Sequence, residues 1–102
     1  MNDTRLLHIA HATDLATADA AGTYRAASLD TEGFLHCCYA HQLSGVISRW
    51  FKGAEDLYLL TIDPTQLTVP PVLENTSGGE ELFPHVYGDI PLAAITAREA
   101  LA

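Results

Sequence analysis

Basic residues are scarce. Lysine and arginine total 5 against 13 aspartates and glutamates, a formal net charge of −8. Nucleic-acid binders draw most of their affinity from a basic footprint, so general nucleic-acid binding is disfavoured. The same sign disfavours an anionic membrane surface. Long apolar runs are missing too: none reaches the roughly 18 consecutive apolar residues of a membrane-spanning helix. The start, MNDTRLLHIAHATD, carries an acidic residue before its first arginine and no apolar stretch of signal-peptide length. Cysteine is confined to Cys37 and Cys38. Neighbouring strand residues point to opposite faces, so a bridge between these two would be badly strained. Two free thiols fit a reducing compartment. The expectation is a cytoplasmic domain with no membrane partner.

What is present suffices for one folded unit. The 102 residues are 48% hydrophobic and 18% charged, too apolar for disorder and enough for a single domain over residues 1–102. A domain of this size needs neither metal nor disulfide to fold. Arg5 to Ala10 (RLLHIA) reads as a strand apolar on both faces, hence central. Thr13 is placed to cap a helix through DLATADAA, and Gly22 stands at its C-terminal stop. The polar connector Thr23 to Gly33 has room for one helical turn over Ser28 to Glu32. Phe34 to Cys38 (FLHCC) reads as a second apolar strand.

Leu43, Val46, Ile47, Trp50 and Phe51 recur at helical spacing, the strongest periodic signal in the chain. This predicts a helix ended by Gly53, with Trp50 and Phe51 in the core. Leu57 to Ile62 reads as a strand closed by Asp63-Pro64. Prolines restrict Val69 to Glu74 to a sheet edge or irregular strand. Asn75 to Gly79 reads as a loop, Leu82 to Gly88 as a strand, Gly88 to Pro91 as a turn, and Ala94 to Leu101 as the last strand. Two or three helices among about six short strands predict an α+β domain.

Five histidines carry most of the chemical potential: His8, His11, His36, His41 and His85. His8 and His36 each lie mid-strand in an apolar segment. Taken singly, each reads as a core imidazole bonded to backbone. Taken together, two central strands bearing one imidazole each predict a shared cleft with both side chains turned toward it. His11 and His41 fall at helix starts, where a solvated histidine is the ordinary outcome. His36 and Cys38 share a strand face and, with His8 or His85, would supply three zinc ligands, the basis for a metal-dependent hydrolase. The chain has no CxxC, HExxH or HxH spacing, so no metal is expected. Adjacency of the cysteines to His36 does not bring side chains together, which weakens a cysteine nucleophile. Hydrolase-elbow, dinucleotide-fingerprint and phosphate-loop motifs are missing. Ser77 to Gly88 (SGGEELFPHVYG) has two readings. One is a rigid edge strand with Phe83 and Tyr87 packed into the core. The other is a cleft wall that presents Glu81 and His85 from a rigid frame.

Taken in order, HIA, AGTYRAASLDTEGFLHCC, a helix ending RWF, LYLLTIDP and GGEELFPHVYG resemble one small bacterial family, domain of unknown function 952, over residues 5 to 100. The resemblance implies a fold similar to that of ADP-ribosyltransferases: a small split antiparallel sheet with two or three helices and a NAD cleft between its halves. It implies that His8 holds a ribose and that His36 lies near the nicotinamide, where the RNA 2′-phosphotransferase branch also has a histidine. Cys38 stands where that branch often has a serine. The transferases' catalytic glutamate corresponds to Glu81, or to Glu80, though the register equally places Phe83 there. Arg25 would meet the pyrophosphate, and His85 and Tyr87 would line the cleft wall. On this reading His8, His36 and Glu81 are the catalytic set for ADP-ribosyl transfer, and loss of the glutamate would leave a binder. The shortage of arginine argues against a tRNA substrate. A non-catalytic module that binds another small ligand or a protein is the alternative, and the metal-dependent hydrolase is the third.

Overall fold

The computed structural model of the protein describes residues 5–75 and 81–101. Glu80 and the rest of the expected loop beyond Asn75 lie outside them. In chain order the elements are β1 (Leu6–His11), α1 (Ala12–Ala21), β2 (Thr23–Tyr24), α2 (Ala27–Thr31), β3 (Leu35–His36), α3 (Leu43–Trp50), β4 (Leu57–Ile62), β5 (Val72–Glu74), β6 (Phe83–Val86), β7 (Ile90–Pro91) and β8 (Ile95–Ala100). The strands pair antiparallel in three small sheets, ordered β1-β4-β8, β2-β7 and β3-β6-β5. The architecture is α+β with small antiparallel sheets and three α-helices among the described residues. None of these helices is long and apolar enough to cross a membrane.

β1 ends the order of its own sheet, yet its outer edge is not bare. Leu7 and Cys38 exchange both backbone hydrogen bonds at 2.8 Å. One residue earlier, the Cys37 N–H donates instead to the Pro84 carbonyl at 3.0 Å. The chain therefore changes partner between Cys37 and Cys38, from β6 to β1. Among the described residues the two larger sheets share a single backbone bridge, Leu7–Cys38, and part on either side of it. This explains why β1 is apolar on both faces without sitting mid-sheet: Leu6 to Ala10 are all buried at the junction. Leu6, Leu15, Tyr24, Leu35, Leu60 and Ile90 form the centre of the core. Burial of each such side chain contributes about 1.5–3 kcal/mol before entropy is counted.

Three local expectations are corrected. α1 starts at Ala12 with His11 as its N-cap, not at Thr13. β1 runs straight into the helix, and the Ala12 N–H is taken by the Asp56 carbonyl at 2.9 Å. Its stop is as expected: Gly22 has φ 85° and donates its N–H to Ala18 O, a left-handed cap that favours glycine. The connector and the turn hide a further pair of strands, β2 and β7. Two residues each are too few to show a period.

The third correction concerns α3. Its amphipathic stripe is real, but none of its residues is buried and Trp50 is 65% exposed. Val46, Trp50 and Phe51 of the stripe line a cleft rather than the core, and Phe51 is only half-buried there.

Candidate functional site

Where the two sheets part, a cleft of about 440 Å³ opens. Its floor is β1, β3 and β6, which present His8, His36 and His85; α3 forms a wall with Arg49, Trp50 and Phe51. Asp14 and Glu32 are the carboxylate residues that line it. The volume falls in the range typical of small-molecule sites.

His8 is buried and both its nitrogens are spent inside the protein. Nδ1 lies 2.5 Å from the His36 carbonyl oxygen and Nε2 lies 2.8 Å from the Tyr24 hydroxyl. A carbonyl can only accept, so Nδ1 carries the proton and the Tyr24 O–H donates to Nε2. The partner switch explains this bond. The Cys37-to-Pro84 bond makes His36 and His85 a non-hydrogen-bonded pair, so the His36 carbonyl points away from β6, toward β1. With no ladder partner there, it is satisfied by the His8 ring. Burial pushes the His8 pKa down from 6.5 to about 4, so the imidazole is neutral at physiological pH. Burial likewise raises the Tyr24 phenol well above its usual value.

His8 and His36 both line the cleft, but they do not project from one face. The Leu7–Cys38 pair sets the alternation: Leu7, Cys38 and His36 lie on one side, and His8 lies on the other with Cys37. The imidazole that shares a face with His36 is His85, its direct cross-strand partner, with ring centroids 5.3 Å apart. Each of these two is held by a carboxylate. His36 Nε2 is 2.7 Å from Glu32 Oε2, both side chains being about half exposed. His85 is buried, with Nδ1 3.0 Å from Glu74 Oε1. The Tyr87 hydroxyl donates to the same oxygen at 2.5 Å, which holds the Glu74 carboxyl below the usual range. Phe34 stacks on His85 at 4.3 Å and meets His36 edge-on at 4.9 Å, locking both rings. The Glu74 carboxylate oxygen can only accept, so His85 Nδ1 carries a proton and donates to it.

The other expected site residues stand elsewhere. Arg25 is outside the cleft lining, paired with Asp30 at 2.7 Å and Asp89 at 3.2 Å. Glu81 lines a second, shallower depression and accepts from Gln42 Nε2 at 3.1 Å. Tyr87 is exposed rather than packed in the core and lies outside the cleft lining, where it bonds Glu74 and packs against Phe34 with ring centroids 5.2 Å apart. Cys37 and Cys38 are buried free thiols. Burial raises both pKa values, that of Cys38 to about 11, so neither is poised as a thiolate at neutral pH. Among the described residues no group of three His, Cys, Asp or Glu side chains is arranged to hold a metal ion.

Residue-by-residue reading missed Glu32, Glu74, Arg49 and Trp50. Glu32 stands four residues before His36, a visible spacing, but the helical turn expected in the connector ends at Glu32 and His36 falls in the following strand, so the two do not share a helix. Glu74 meets His85 only through the pairing of β5 with β6, which local sequence does not reveal.

The profile of a family described as protein of unknown function (DUF952) matches residues 9–98. The crystal structure of protein CC0527 from Caulobacter crescentus is similar to this chain with a TM-score of 0.85 and 26% identity, over 97% of this chain and 87% of that one. The solution structure of the same protein gives a TM-score of 0.76 at 26% identity, over 96% and 84%. No curated protein matches.

Proposed function

Because the chain belongs to the DUF952 family, whose name carries no activity, we propose from its geometry that the cleft is a binding pocket for a NAD-type nucleotide. The observation that carries the reading is the cleft itself: about 440 Å³ at the parting of two antiparallel sheets, lined by His8, His36 and His85 and walled by Trp50 and Arg49. Flat side chains suit a heteroaromatic ring, and half-exposed polar groups suit a sugar. His8 has no free nitrogen for a ribose. Tyr24, whose hydroxyl holds His8 Nε2, is fully buried and serves to fix that ring rather than to meet a ligand. His36, held by Glu32, and His85, held by Glu74, contribute rigid imidazole edges.

Binding is favoured over transfer because Glu81, the expected transferase glutamate, lines a different depression. A second reading keeps ADP-ribosyl transfer or NAD hydrolysis and rests on one observation: Glu32 lines the cleft within 2.7 Å of His36. There Glu32 would polarise the ribose hydroxyl or stabilise the cationic transition state.

Trp50 is the one tryptophan in the chain and stands at the cleft wall. Its fluorescence therefore reports ligand entry directly. NAD is expected to quench it saturably and to shift the ring resonances of His36 and His85. Absence of both effects at millimolar NAD removes the nucleotide reading and leaves a module for another ligand. Release of nicotinamide by wild type, abolished in Glu32→Gln with NAD binding kept, establishes the second reading.

A further inference from the structure

We infer that the site is bipartite: the cleft takes one half of a dinucleotide, Arg49 takes its phosphates, and a neighbouring depression takes the second nucleoside. This rests on the nucleotide reading and adds to it a second subsite and a ligand class. A depression of about 270 Å³ adjoins the cleft, and Val46, Arg49, Trp50 and Phe83 line both. The two hollows thus share a ridge, made by one turn of α3 and a residue of β6.

The ridge carries the right charge. Of the 5 basic residues in a chain of net charge −8, Arg25 is bound by Asp30 and Asp89, and Arg98 by Asp19. Arg49 has no carboxylate partner among the described residues. Its guanidinium carbon lies 5.9 Å from the centroid of the Trp50 ring, a placement that leaves its donors available. A free guanidinium between two hollows suits a bridging pyrophosphate, which it can bind bidentately.

The second hollow has a prepared polar group. Buried Gln42 accepts the Tyr39 N–H at 3.0 Å and donates to the Leu82 carbonyl at 2.8 Å and to Glu81 Oε2 at 3.1 Å. Glu81 is thereby pinned by a side chain that is itself fixed, while its Oε1 has no partner among the described residues. A carboxylate with one free oxygen suits the vicinal hydroxyls of a ribose. Glu81 is thus assigned to recognition of the second sugar rather than to the reacting one.

The test measures affinities of the full chain for NAD and for nicotinamide mononucleotide, in wild type, Arg49→Met and Glu81→Gln. Both substituted residues are solvent-exposed, and amide spectra verify that the variants keep the fold. Wild type is expected to prefer NAD. Arg49→Met should weaken NAD by about ten- to a hundredfold, the worth of a hydrogen-bonded charge, and flatten its salt dependence. Glu81→Gln should weaken NAD by about tenfold and leave the mononucleotide unchanged. If both ligands bind wild type equally, or if neither substitution alters NAD affinity, the bipartite site is wrong while the cleft reading stands. If neither ligand binds wild type, the nucleotide reading fails and this inference with it.

Discussion

The buried His8 makes the stability of this fold sensitive to acid in a defined window. An unfolded histidine titrates near 6.5, whereas burial holds this one near 4. Its bond to the His36 carbonyl works in the opposite direction and only partly offsets the desolvation, and the His36 and His11 rings add to the lowering while Asp14 opposes it. Above pH 6.5 both states hold the ring neutral and there is no penalty. As pH falls below 6.5, the unfolded chain takes up a proton that the folded one refuses, so stability declines. Below about pH 4 both states are protonated and the loss levels off at about 3 kcal/mol. Against a total of about 5–15 kcal/mol for a small domain, that is a large share. The assay is denaturant unfolding of wild type and His8→Gln at pH 7.5, 5.5 and 4.5. Taking the difference cancels the other titrating groups. The advantage of wild type should shrink by about 1 kcal/mol at pH 5.5 and by about 2–3 kcal/mol at pH 4.5. A His8 ring resonance that titrates near 6.5, or an advantage independent of pH, would refute the argument.

Tyr24→Phe removes the donor to His8 Nε2 and strands a buried acceptor, an expected loss of about 1–3 kcal/mol in unfolding free energy; an unchanged denaturant midpoint would mean that the hydroxyl is not engaged. Trp50→Ala should shift stability by less than about 1 kcal/mol because the side chain is 65% exposed. A loss of about 3–5 kcal/mol, as for a buried tryptophan, would return Trp50 to the core. Iodoacetamide at pH 7.5 should label native Cys37 and Cys38 far more slowly than the unfolded chain, since both are buried and their thiols are pushed up. Fast native labelling would contradict that placement.

Legibility in the sequence followed the length of each element and the range of its contacts. β1, β4, β8 and the Gly22 stop were readable because alternation, apolar runs and a left-handed glycine are local signals. The α+β class followed from them. The site was legible in kind but not in pairing. His8 and His36 were identified as mid-strand imidazoles, and both line the cleft, but only His8 is also the backbone-bonded core ring, with both nitrogens spent. What separates them is the partner switch at Cys37 and Cys38, a relation among three distant strands with no trace in local spacing. Arg25 was assigned to the cleft through resemblance, and Glu81 through both the Ser77 to Gly88 segment and the resemblance. Their observed ion pair and side-chain bond are again long-range facts, with Arg25 meeting Asp89 and Glu81 meeting Gln42.

α3 shows how a correct pattern leads to a wrong conclusion. Apolar spacing at i, i+3 and i+4 says that one face of a helix needs an apolar neighbour; it does not say that the neighbour is protein. Here the face is turned toward the parted sheets, and the space between is filled by no side chain large enough to bury Trp50. Exposing an indole this way costs hydrophobic burial, of order 25 cal/mol for each Å² left in contact with water. A ligand that covers Trp50 recovers that energy on binding. The unburied stripe and the unneutralised Arg49 occupy the same turn of the same helix, so one ligand with a flat ring and an anionic group would satisfy both. The fold leaves these two deficits side by side at the cleft wall, and that coincidence is why α3 rather than the histidine strands is expected to set affinity.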